Sequence, residues 1–126
     1  MDWQDIALGA AGIIGSGVAV VHGILVQRRM VERLEPLLRA DERMAGPIRR
    51  LVPLLLHFST FNWFVGGLAL IAAAIWFDRD VRLTTGLLVG SSYLFGALGN
   101  AWGTRGRHPG WMLYAVALAL ILFGLS

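Results

Sequence analysis

Four uncharged apolar runs take up most of this chain, and its arginines collect between particular pairs of them. Residues 6–26 carry no charge over 21 positions, 51–77 none over 27, and 83–103 none over 21. A helix that crosses a bilayer needs about 20 apolar residues, because hydrocarbon offers no partner to a bare N–H or C=O. The fourth run, 111–125, has 15 residues and is short for a span. Pro109 and Gly110 suit the opening of its helix, and its far end can rest among headgroups. The expected fold is therefore all-α: a single-domain integral membrane four-helix bundle over 1–126. Its spans fall near 6–26, 51–77, 83–103 and 110–126, antiparallel and up-down.

Composition agrees with a hydrocarbon solvent. The apolar fraction is 56%, more than a soluble domain of this length needs for its core. The absence of Cys excludes a disulfide, thiolate chemistry and a cysteine metal site. A net charge of +3 and a pI near 10.6 would suit nucleic acid. Here, however, the basic residues flank apolar spans, which is a topology signal, so no nucleic-acid partner is expected. The acidic start Met1-Asp2-Trp3-Gln4-Asp5 lacks the basic region of a cleaved signal peptide, so the first span is expected to be retained.

Arg28, Arg29, Arg33, Arg39, Arg43, Arg49 and Arg50 lie in the first loop, 27–50, and Arg105 and Arg107 in the third, 104–110. These two loops fall on one side of a four-span chain. Basic loops stay in the cytoplasm, which places both termini outside, in a bacterial-type inner membrane. Trp3 and Trp76 then fall at the outer interface and Trp102 and Trp111 at the inner one, as an aromatic belt requires. Only Trp63 falls near mid-membrane. Within loop one, the pairs Arg28/Glu32 and Glu35/Arg39 at four-residue spacing extend the first helix past the membrane. Pro36 then suits the first turn of a second short helix, with Gly46 as its stop and Pro47 as the next start. Such a connector anchors to lipid phosphate. The second loop, 78–82, is a tight turn that makes a hairpin of the second and third spans.

Helices in lipid associate through small residues that allow close approach. Gly12, Ser16, Ala19 and Gly23 line one side of the first span. Ser92, Gly96, Gly99 and Gly103 mark the third, and Gly66 and Gly67 the second. This pattern fits packing within the bundle, and one of these faces also suits self-association.

Polar groups inside a bilayer are costly and are the natural candidates for function. His22, His57 and Asn100 fall at one level in the cytoplasmic half, about 9–10 Å from mid-membrane at helical rise. Asn62 lies near mid-membrane, with Ser91, Ser92 and Tyr93 at similar depth. As structure, this layer is an interhelical hydrogen-bond network that sets helix register. As a site, it is a pocket for a lipid or quinone, with His and Asn as polar anchors and Phe61, Trp63, Phe64 and Tyr93 as walls. A third reading makes His22 and His57 axial ligands of a haem b. Zinc is not expected, because a site needs three or four clustered ligands. No catalytic residues are assigned: Ser59, Ser91 and Ser92 have no acidic partner at their depth.

In outline the chain resembles the membrane glutathione-handling enzymes: outer N-terminus, long basic first loop, four helices. Arg50, His57 and Asn62 stand where their second-helix signature would be, but without its Glu and at other spacings. Phe58-Ser59-Thr60-Phe61 matches a run of the fluoride channels, but in the second helix instead of the third. The first span lacks the acid of the small multidrug transporters. No functional residues are carried over from any of these. The leading functional expectation is a non-enzymatic accessory or structural subunit that self-associates or packs with other membrane subunits. The alternatives are a binding protein for haem or an amphiphile at His22, His57 and Asn100, and an oligomeric channel or small membrane enzyme. Reporter fusions to the two ends should both register the non-cytoplasmic side; opposite sides would contradict an even number of crossings.

Overall fold

A computed structural model describes all of residues 1–126. The chain is helical throughout, with no strands: α1 (Trp3–Val26), a π turn (Gln27–Val31), α2 (Glu32–Ala40), α3 (Gly46–Trp76), α4 (Arg79–Gly103) and α5 (Gly110–Leu125). The continuous run Trp3–Ala40, α3 and α4 are each long and apolar enough to cross a membrane. The 16 residues of α5 reach about 24 Å, short of a hydrocarbon core of about 30 Å.

Helices start earlier than the apolar runs because polar turns close them. Asp2 accepts from the N–H of Asp5 at 2.9 Å, and Asp5 accepts from the N–H of Asp2 at 3.2 Å. This reciprocal cap starts α1 at Trp3. Asp78 caps α4 by accepting from Val81 N–H at 3.2 Å, so α3 and α4 meet across a two-residue turn and form the expected hairpin. Loop one differs from the expectation. Pro36 does not open a second helix; it lies inside α2, which is continuous with α1 and ends at Ala40. A proline ring crowds the carbonyl one turn back, and the wide π turn directly upstream is where this helix departs from α geometry. Gly46 is the first residue of α3 instead of the stop of α2, and Pro47 sits in the first turn of α3.

The four long helices pack in the cyclic order α1, α3, α4, α5, each against two antiparallel neighbours. Only 24 of 126 residues are buried, and many of them are small. Many large apolar side chains, Ile13, Leu54, Phe58, Phe95 and Leu122 among them, point outward. That arrangement suits a protein whose exterior meets lipid.

α1 and α3 come closest. Ser16 Oγ donates to Gly12 O at 2.8 Å and lies 3.5 Å from Phe64 O on α3. A Cβ on Gly67 would sit 2.7 Å from the backbone nitrogen of Ser16, and one on Gly12 2.7 Å from Ile71 Cγ1. The small-residue stripe of the first span is thus used inside the bundle. In α4 the stripe divides: Gly96 abuts Trp63, whereas a side chain on Gly99 or Gly103 would meet nothing within 4 Å. At the end holding both termini, Arg82 of α4 pairs with Asp5 of α1 and donates to the carbonyls of Ala73 and Ala74, each at 3.0 Å. One guanidinium therefore ties three helices together and satisfies two free carbonyls of α3.

Gly67→Ala is expected to destabilise the bundle by about 1–3 kcal/mol, because its methyl meets backbone that cannot move aside. Gly99→Ala should be neutral or stabilise by up to about 1 kcal/mol. Thermal melts of helical circular dichroism in detergent check the pair.

Candidate binding groove

The three residues expected to form one polar layer occupy two separate sites. His22 and Asn100 line a groove of about 400 Å³ between the second half of α1 and the start of α5. His57 opens instead on a hollow on the other side of α1, with Gln27, Arg28 and Glu32. The 100° step per helical residue explains this split: equal depth on two helices does not mean a shared face.

The groove runs along α1 from Ile13 to Leu25, about 18 Å at helical rise. Ile13, Gly17, Val18, Val21 and Leu113 make its walls apolar, and no Arg, Asp or Glu lines it. A side chain added at Gly17 would project into open space. Its polar end is formed by His22, Asn100, His108 and Tyr114.

The loop between α4 and α5 places His108 there. Arg105 (φ 53°) and Gly106 (φ 74°) adopt left-handed backbone, and Gly106 N–H closes α4 on Ala101 O at 2.7 Å. Thr104 Oγ1 donates to Asn100 O at 2.6 Å and accepts from His108 N–H at 3.3 Å. His108 Nδ1 accepts from Gly110 N–H at 3.1 Å, so a neutral His108 carries its proton on Nε2, as a donor. Asn100 Nδ2 donates to Gly96 O at 2.7 Å and keeps a second N–H. His22 Nε2 lies 3.2 Å from Ser59 Oγ, and its ring stands edge-on to Trp63 at 4.8 Å.

Tyr114 is the least satisfied of these groups. The residue is 1% exposed, yet its hydroxyl has no hydrogen-bond partner. Leaving a buried hydroxyl unpaired costs about 1–3 kcal/mol. Its ring packs on Trp63 at 5.0 Å and Tyr93 at 4.9 Å, which holds it against the groove.

The sequence suggested Trp63 and Tyr93 as pocket walls, but neither lines the groove. They fill the bundle core, and Tyr93 OH donates to Trp63 O at 3.0 Å. Phe61 and Phe64 face outward. Asn62 donates to Ser92 Oγ at 2.9 Å across the exposed α3–α4 seam, away from the groove. Sequence reading missed Tyr114, His108 and the partners Ser59 and Gln27. His108 belonged to a loop, and Tyr114 looked like part of an apolar run.

For haem, the fit fails at His22 and His57. Axial ligation needs both ring nitrogens to face one flat space. These two open on different cavities, and their Nε2 atoms engage Ser59 and Gln27 Oε1, the latter at 2.7 Å.

No family model, curated protein or solved structure matches this chain.

Two tyrosines should respond oppositely in thermal melts of the empty protein. Tyr93→Phe breaks a buried bond and should cost about 1–2 kcal/mol, whereas Tyr114→Phe removes an orphan hydroxyl and should be neutral or stabilising.

Proposed function

We propose that this chain is an integral membrane protein that binds a neutral, carbonyl-bearing amphiphile, of the lipid-ester or quinone kind, in the α1–α5 groove. It acts as a non-enzymatic accessory protein. The observation that carries this reading is an otherwise apolar, laterally open groove with His22, Asn100, His108 and Tyr114 gathered at one end. The His108 Nε2–H and the spare N–H of Asn100 are donors, and they call for oxygen acceptors on the ligand. The lack of a lining charge favours a neutral head. The apolar walls take the tail, and lipid reaches the groove without the ligand passing through water.

The ends of the bundle support an orientation. Nine Arg against four acids cluster at the end bearing α2, and two Arg against four acids at the other, a balance of +5 and −2. On the positive-inside bias, the groove's polar end lies toward the cytoplasm of a bacterial-type inner membrane, with both termini outside. Trp3 and Trp76 stand exposed at one end and Trp102 at the other, as interfacial anchors do.

A second reading is the self-associating structural subunit, packed through the unfilled Gly99–Gly103 face of α4, where Leu98 and Trp102 are exposed. A channel or small membrane enzyme has no comparable observation behind it.

Gly17→Phe separates the readings, because it fills the groove without touching α4. Binding of a short-tail quinone and of a monoacylglycerol, measured in mild detergent, should weaken at least about tenfold with this variant. Copurifying amphiphile should disappear from its mass spectrum. Equal binding by wild type and Gly17→Phe would overturn the groove assignment.

A further inference from the structure

We infer a second lipid site, for the phosphate head of an anionic phospholipid, in the elbow between α2 and α3. The turn Asp41–Ala45 folds α3 back beneath α2, and Arg49 fastens it by donating to Asp41 O. This closure brings Arg39 from the end of α2 and Arg49 and Arg50 from the first turns of α3 around one hollow of about 400 Å³. Three guanidinium groups meet a single carboxylate there. That carboxylate, Glu35, is already engaged by Arg39 at 3.1 Å. The surplus is positive, and Arg49 Nε is buried with no partner. Guanidinium groups in excess of carboxylate favour an anion, which they bind through charge-assisted hydrogen bonds.

The floor of the hollow identifies the anion's carrier. Leu38, Pro53 and Leu54 line it. Arg50, Leu54 and Phe58 recur every fourth residue and all point outward, so a single ridge of α3 leads from guanidinium to apolar surface. A phosphate held among the arginines would have its acyl chain laid on Leu54 and Phe58. Free phosphate would leave that ridge unused. The apolar run of α3 begins at Leu51, so the arginines stand at the headgroup level, where basic pockets between helices take anionic lipid. This site shares no residue with the α1–α5 groove and does not depend on it.

Native mass spectrometry of the full chain in mild detergent tests the inference. The probes are phosphatidylglycerol, phosphatidylcholine of the same acyl chains, and inorganic phosphate. Phosphatidylglycerol should be retained, and the other two should not compete for its place at equal concentration. Arg39→Gln/Arg50→Gln changes two exposed side chains outside the core. It should weaken retention roughly thirtyfold, at about 1 kcal/mol per arginine. Arg105→Gln/Arg107→Gln, in the other basic loop, should change it less than about twofold. Equal retention of the two lipids, or an equal loss in both double variants, would overturn the site. Displacement by inorganic phosphate would overturn the lipid as its ligand.

Discussion

The approach of α1 to α3 at Gly12, Ser16 and Gly67 is the contact on which the rest of this bundle depends. Lipid gives helices no hydrophobic reason to associate, so attraction must come from close packing and hydrogen bonds. At this crossing the Gly12 and Gly67 backbones approach each other directly, and Ser16 bonds within α1 while lying near the Phe64 carbonyl. Larger residues there would push α3 outward. Trp63 would then lose its seat against Gly96 and its edge contact with His22. The Tyr93 bond to the Trp63 carbonyl depends on the same placement.

The groove follows from this geometry and from the length of α5. One side of α1 is committed to α3. Near the termini, α5 closes on α1, with Gly124 against Gln4 and Leu8. Toward the basic end, α5 begins only at Gly110, after a loop pinned by Thr104 and His108. There α1 has no helix fully covering its outer flank, and the polar groups that the loop and Asn100 supply collect at the head of an apolar slot. The elbow of arginines lies at the same end of the molecule. Both hollows therefore have their polar groups toward the basic end of the bundle.

Much of the fold was legible in the sequence because long uncharged apolar runs and helical spacing can be read directly: the four runs are helices, three of them long and apolar enough to cross a membrane. The small-residue stripe of α1 was legible for the same reason. Helix ends were less so, since hydropathy marks where lipid begins, whereas Asp2 and Asp78 mark where helices begin. Pro36 misled because a proline favours a helix start but is tolerated beside a π turn. The candidate residues were placed by depth alone, which does not fix the face each occupies. His22 and Asn100 do share a cavity, but helix rotation sends His57 elsewhere and buries Trp63 and Tyr93 in the core. Tyr114 could not be singled out, because an orphan hydroxyl is a property of packing, not of spacing.

The central claim is an apolar slot beside α1 that opens sideways to lipid while the opposite flank of the helix is sealed. A nitroxide attached through Gly17→Cys, in the full chain in liposomes, reports on it directly. Collisional relaxation by oxygen, which concentrates in hydrocarbon, should exceed that by a water-soluble nickel chelate. A label relaxed chiefly by the chelate, or silent to both reagents, would contradict the account.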